Sequence, residues 1–312
     1  MNVKKFIAEK VEEIRRIVGE GKALSALSGG VDSAVCTLLA RRALGDRQLT
    51  VVFLDDGLMR MNEAEEVRTA FERLGVRVNV LDVQADFFAA LKGLTDPEEK
   101  RKAFRATFYR TLQKAVREAG ATFMIQGTIK PDIFETQKGV KTQHNVLDQI
   151  GINAKEGFGF TVVEPLVDLY KPDVRRVGRA LGLPAKMYQR QPFPGPGLSA
   201  RILGEVTPER VEVVRRAGRI VEEETARFRP FQAFAVLLAD RATGVTREGT
   251  RAMGDMLAIR VVDSRNAVTA RATKLPWATL RKIQERLVRE IPSVTKVLYD
   301  LTPKPPSTIE YV

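Results

Sequence analysis

The 312-residue sequence is poor in the residues that build redox and transition-metal centres, holding one cysteine, Cys36, and one histidine, His144. A single cysteine excludes an internal disulfide and any Cys-rich zinc or iron–sulfur centre. A single histidine excludes sites that need an imidazole pair. Metal chemistry is left to carboxylates and phosphates, the ligand set of Mg²⁺. No apolar run approaches the length that spans a bilayer. The opening stretch sets Phe6, Val11, Ile14 and Val18 at helical spacing among charges, unlike the apolar core of a signal peptide. These features predict a cytoplasmic protein without a membrane partner.

What is abundant is positive charge: 51 Lys+Arg stand against 39 Asp+Glu, a net +12. The remaining composition, 44% hydrophobic and 29% charged, is that of a globular protein long enough for about two domains. Up to about residue 204, short apolar runs alternate with helix-period stretches, the pattern of a parallel α/β sheet. Strands are predicted at 24–27, 49–55, 76–83, 122–126 and 161–164, with helices at 33–44, 63–74 and 98–119. From 205 to 312 the pattern changes to that of a smaller α+β domain. Thr207 and Pro208 read as the start of a long helix to about 227, followed by strands at 231–238, 256–263 and 295–300 and a helix at 278–290. Trp277 is expected to pack this domain, and Cys36 to be a buried apolar filler. Two stretches fit neither period. Gly127–Phe160 is long and polar, the signature of a lid or a disordered segment. Gln191–Leu198 (QPFPGPGL) is a rigid connector or a ligand-facing turn at the domain boundary.

The most informative stretch is Ser28, Gly29, Gly30, Val31, Asp32 and Ser33, between the first strand and a helix. Glycines let the backbone approach a ligand closely, and the helix N-terminus favours an anion. Ser28 and Ser33 add hydroxyls, and Asp32 fits beside phosphates once a divalent cation is shared. The absence of a following Lys separates this loop from a Walker A motif.

SGGVDS resembles the PP-loop of the ATP pyrophosphatase superfamily (adenine nucleotide alpha-hydrolase-like). FLDDG with Arg60, QGTIKPD with Glu135, EPLVDLYK at 164–171, PFPGPGL at 192–198 and KPPSTIE at 304–310 follow in order. Together they are similar to the ATP pyrophosphatase half of GMP synthetase. That resemblance implies a PP-loop parallel-sheet domain and a C-terminal dimerisation domain, hence a homodimer. It also implies ATP-dependent amidation of xanthosine 5′-monophosphate through an adenylated intermediate, with ATP and Mg²⁺ required. Ammonia would come from solution or from a separate glutamine amidotransferase subunit.

Carried over residue by residue, the resemblance has Ser28–Ser33 cradle pyrophosphate, Asp32 ligate Mg²⁺ and Lys171 neutralise the departing pyrophosphate. Asp55 would lie by the adenosine, or simply open an Asp-Asp-Gly turn. Asp132 and Glu135 would hold Mg²⁺ or activate the nucleophile, with helix capping by Asp132 as the plain alternative. Arg60, His144, Arg260, Lys304 and Glu310 would contact the phosphorylated acceptor. The sequence departs from the family pattern at 143–151 and 265–271, near the expected acceptor site. A PP-loop enzyme acting on another nucleotide, a small carboxylate or an RNA base therefore stays open, as does a non-catalytic nucleotide-binding protein. Residues 241–289 carry 11 basic and 4 acidic side chains. That patch suits a phosphorylated acceptor and leaves nucleic acid open.

Overall fold

A computed structural model describes residues 1–137, 159–245, 249–265 and 267–311, with the side chains of 134–137 left aside. The chain forms two compact units. The first comprises 1–55, 62–83 and 105–190, and the second 56–61, 84–104 and 191–312. Spatial division thus falls at 190/191, before the change of sequence pattern near 205, and the second unit also takes in two earlier segments.

The first unit is a five-stranded parallel sheet in the order β3-β2-β1-β4-β5, with β1 Ala23–Leu27, β2 Leu49–Asp55, β3 Asn79–Asp82, β4 Phe123–Ile125 and β5 Thr161–Val163. Alternation along β1 sends its side chains to opposite faces. Leu24 packs with Tyr109, Leu112 and Val116 of α5 (Pro97–Glu118), beside Val52, Leu54 and Met124. Ser25, on the other face, hydrogen-bonds Thr37 of α2 (Val31–Gln48) through paired hydroxyls at 2.8 Å. The N-terminal helix α1 (Val3–Val18) begins where Asn2 accepts from the Lys5 N–H and buries Ile7, Ile14 and Val18. From β1 the chain first builds outward through β2 and β3, then crosses to β4 and β5 on the other side. The C-terminal ends of β1 and β4 therefore flank the switch point, where open α/β sheets bind ligands.

The loop that leaves β4 is pressed against the start of α2. A Cβ on Gly127 would lie 2.8 Å from the Ser33 nitrogen and 2.9 Å from the Asp32 carbonyl carbon, both backbone atoms. Cys36, also on α2, is fully buried and donates its thiol to the Gln126 carbonyl at 3.4 Å. Burial, then the charges of Asp32 and Glu164, push that thiol well above its usual pKa, so it serves as a filler rather than a nucleophile.

Three helices of the described chain carry no clear sequence signal: α4 Gln84–Leu91, α6 Lys130–Gln137 and α7 Lys171–Ala180. The predicted loop at 127–160 thus contains a helix at its start, and its 138–158 portion lies outside the described residues. A four-residue helix, α8, spans Ala185–Tyr188.

In the second unit, α9 (Pro208–Thr225) starts as predicted, with Thr207 accepting from the Arg210 N–H at 3.3 Å. The sheet is built on an antiparallel hairpin of β6 (Gln232–Val245) and β7 (Arg251–Asp263). A short β8 (Arg271–Ala272) is antiparallel to β7, and β9 (Val294–Tyr299) runs parallel to it. β6 continues well past its predicted end, because its last residues pair through the backbone while their side chains stay mostly outside the core. Trp277 contradicts its expected role. It opens α10 (Trp277–Glu290), whose buried face carries Ile283 and Leu287, and is itself 75% exposed.

Lys100, near the start of α5, is 2% exposed and donates to the carbonyls of Ile202 at 2.6 Å, Gly204 at 3.1 Å and Ser199 at 3.5 Å. Arg210 binds the carbonyls of Leu203, Glu205 and Leu238. Two cations thus hold the bends of residues 199–205.

This packing can be tested at both places. Gly127→Ala must displace backbone on α2 and is expected to cost the first unit about 1–3 kcal/mol; an unchanged chemical-denaturation midpoint would show that the loop has room. Burial, followed by the nearby Arg210 charge, lowers Lys100 from 10.5 to about 8. Between those values the unfolded chain binds more protons, so stability relative to Lys100→Met is expected to rise as pH climbs from 8 to 10.5. A difference that stays flat across that window would contradict the assignment.

Candidate active site

In the first unit, Ser28–Ser33 form the turn from β1 into α2. Gly29 is left-handed (φ 72°), and its missing Cβ is what leaves room for Glu63. Gly30 is the extended residue from which the helix starts, and no side chain caps that end. The first-turn N–H groups are thus left for a ligand, preferably an anion. The loop's shape is held from within. Ser33 Oγ accepts from the Ser28 N–H at 3.2 Å, lies 3.0 Å from Ser28 Oγ and donates to the Gly30 carbonyl at 3.1 Å. Thr37 donates to the Ser33 carbonyl at 2.8 Å, tying the first turn to the buried hydroxyl pair with Ser25.

Asp32 and Lys171 come together, with Lys171 Nζ 2.5 Å from Asp32 Oδ2. The other carboxylate oxygen, Asp32 Oδ1, is buried without a hydrogen-bond partner. Such an atom calls for a donor or a cation. Among the described residues no group of three His, Cys, Asp or Glu side chains forms a metal cage. Asp32 Oδ1 is a hard oxygen of the kind that would suit Mg²⁺.

Asp55 ends β2 half-buried, in register with Asp82 of β3. The turn predicted there is closed by its neighbour Asp56, a second-unit residue that accepts from the Leu58 N–H at 2.8 Å. Asp132 accepts from the Ile129 N–H at 3.0 Å, the capping geometry that is its plain alternative role. Glu135 lies on α6 with its side chain left aside, and His144 lies outside the described residues.

Two side chains at the loop have no counterpart among the residues expected from sequence. Arg190 Nη1 lies 2.5 Å from Glu63 Oε1 and 3.5 Å from the Gly29 carbonyl, and its Nη2 lies 2.9 Å from Glu66. Glu63 is buried against the loop, and Arg190 supplies the opposite charge. Their signal is position: Glu63 starts α3 (Glu63–Glu72) and Arg190 precedes the proline-rich segment.

The second unit gathers the other candidates. Arg60 stacks 4.2 Å over the Phe193 ring, donates to the Gln191 carbonyl at 3.1 Å and approaches Glu222 at 3.4 Å. Arg260 is fully buried, with Nη1 binding the Thr302 carbonyl at 2.5 Å and Asp300 at 3.1 Å, and Nη2 binding the Thr308 carbonyl at 2.9 Å. Its guanidinium braces the terminal loop from inside. Lys304 donates to the Ala267 carbonyl at 2.9 Å, and its backbone pairs with Ala270. The two segments singled out by sequence, 265–271 and 304–310, are therefore joined. Glu310 receives both arms of Arg201, at 2.9 and 3.1 Å, and the Gln232 amide. Arg60, Lys304, Glu310 and the bracing Arg260 thus share one unit, while Asp32, Asp55, Asp132 and Lys171 share the other.

Family comparison finds two matched segments along the chain. Residues 1–195 match the NAD synthase family model, and residues 219–311 match the GMP synthase C terminal domain. Relatives named as a subunit of glutamine-hydrolyzing GMP synthase align along the chain. The one from Archaeoglobus fulgidus is 50% identical over 311 residues and the one from Pyrococcus abyssi 48% over 314, each covering both chains completely. A third, from Methanocella arvoryzae, is 50% identical over 307 residues with 98% of each chain covered. With such identity sustained from end to end, the chain belongs to this family of glutamine-hydrolyzing GMP synthase subunits.

Proposed function

We propose that this chain carries out the ATP-dependent amidation of xanthosine 5′-monophosphate to GMP. The observation that carries the reading is the PP-loop: an uncapped helix N-terminus at the sheet's switch point, with Asp32 and Lys171 paired beside it. The family relationship supplies the acceptor. The base oxygen at carbon 2 attacks the α-phosphorus of ATP, and the bond to the β-phosphate oxygen breaks. Pyrophosphate leaves into the N–H groups and hydroxyls of Ser28–Ser33, which stabilise an anion without reorganising. Lys171 meets the charge that builds on the leaving group. Ammonia then attacks carbon 2 and AMP departs, leaving the amino group of GMP. Mg²⁺, held by Asp32 Oδ1 and phosphate oxygens, would supply the charge that lets this carboxylate share the site with phosphates. In the second unit, Arg60, Lys304 and Glu310 would recognise the acceptor, with Arg260 holding their loop.

Ammonia is inferred to come from a separate glutamine amidotransferase, in keeping with the naming of the relatives as one subunit of a glutamine-hydrolyzing enzyme. Among the described residues no helix is long and apolar enough to cross a membrane. A homodimer through the second unit is supported by Val245 and Met253, 70% and 53% exposed on the β6–β7 hairpin.

The decisive measurement is AMP release with xanthosine monophosphate and ammonium, each omitted singly. Release that needs the acceptor, with GMP as product, is expected; AMP formed only with a different acceptor would overturn the substrate. Asp32→Asn and Lys171→Met are each expected to lower kcat about 10²–10³-fold with the fold intact, and a fully active Asp32→Asn enzyme would remove the metal role. Light scattering at micromolar concentration should give twice the chain mass, and Met253→Asp should halve it. A monomeric wild-type protein would refute the dimer.

A further inference from the structure

Glu310 lies on the terminal segment, which joins the sheet region through the Lys304–Ala270 backbone pair. The direction of its carboxylate is set by side chains. Chief among them is Arg201, which is 3% exposed and grips both oxygens in fork geometry. The guanidinium is itself fixed by two rings, with Phe234 4.2 Å and Phe193 4.9 Å from its central carbon. Phe234 is fully buried on β6, and Phe193 carries Arg60 as well.

We propose that Arg201 is a positioning residue for acceptor recognition, acting through Glu310. An ionised carboxylate offers about four lone-pair directions. Arg201 fills two and the Gln232 amide a third, all within the second unit. That leaves one direction on a side chain that is 21% exposed, enough for a single hydroxyl or N–H of a sugar or base. Arg201 also neutralises Glu310. An anionic, phosphorylated acceptor can then approach a carboxylate that would otherwise repel it. The Phe193 ring extends the arrangement to Arg60, so the proline-rich motif that bears this ring couples two acceptor contacts rather than serving only as a connector. Lysine cannot replace Arg201, because a point charge with rotating donors holds one oxygen but not the plane of the carboxylate.

The proposal rests on Glu310 being an acceptor contact, and the test separates the two. Steady-state kinetics with ammonium, xanthosine monophosphate and MgATP are measured for Arg201→Lys, Arg201→Gln, Glu310→Gln and the double glutamine variant. Arg201→Lys is expected to raise KM for xanthosine monophosphate at least about tenfold, the effect of one misaligned charge-assisted hydrogen bond. KM for MgATP should stay at its wild-type value, whatever the loss of the buried fork costs in Tm. The double variant should be no worse than Glu310→Gln alone, since both act on one contact. If Glu310→Gln alone keeps a wild-type KM, the reading of Glu310 falls and the proposal with it. If Glu310→Gln raises KM and Arg201→Lys does not, the proposal alone is overturned. Parallel loss of both KM values and Tm in every Arg201 variant would mean a merely structural arginine. Phe193→Leu, which keeps the charge pair and loosens one stacking face, guards against misfolding: a smaller rise confined to the xanthosine monophosphate KM is expected, and no rise would count against positioning.

Discussion

The first unit depends on a backbone approach at the switch point of its sheet, where the loop after β4 touches the first turn of α2 without an intervening side chain. Gly127 permits that contact, 2.8 Å from Ser33 nitrogen even for a hypothetical Cβ. With it, the start of α2 is clamped from two sides, by the β4 loop and by the Ser25–Thr37–Ser33 hydroxyl chain. A helix N-terminus held this rigidly presents its N–H groups at fixed positions. Fixed dipoles stabilise developing charge better than mobile ones, because no reorganisation is required when the charge appears. The loop's readiness for an anion is thus a property of the sheet's strand order as much as of the six residues that compose it.

The second unit solves a different problem, the fixing of irregular chain. Its terminal segment and the 199–205 bends have little ladder pairing, so their backbone polar groups need other partners. Cations provide them: buried Lys100 and half-buried Arg210 on one set of carbonyls, buried Arg260 on another. Each meets several acceptors at once, which offsets the desolvation that an isolated buried charge would suffer. The cost is visible in the depressed Lys100 amine and in the Arg260 Nε, which is buried without a partner.

These two solutions differ in how far they can be read from sequence. In the first sheet β1 and β2 are legible because strands buried on both faces are nearly continuous apolar runs, and the loop after β1 because its glycines and hydroxyls are contiguous. α9 is legible from Thr207 and Pro208. The far half of β6 is not, since Asp240, Arg241 and Thr243 lie on a stretch held by backbone pairing rather than by burial. Nor are the short helices α6 and α7, whose first turns begin at Lys130 and Lys171 inside segments that read as motifs. Trp277 misleads because a large aromatic favours burial on average while its position on α10 sends it outward. Arg190, Arg201 and Lys100 are invisible for a common reason: each binds partners distant in sequence, so no local spacing announces them.

The same fact changes what the net charge of +12 means. A partner in solution responds to the field of exposed groups, whereas Lys100, Arg201 and Arg260 are interior and satisfied by carbonyls or carboxylates of their own chain. Arg260 sits in the stretch whose basic excess suggests a polyanionic partner, yet it faces Asp300 and two carbonyls. Arg286 in that stretch is likewise committed, to Glu223, Glu224 and Glu290. Part of the excess is therefore structural, used to fold a unit rich in irregular backbone.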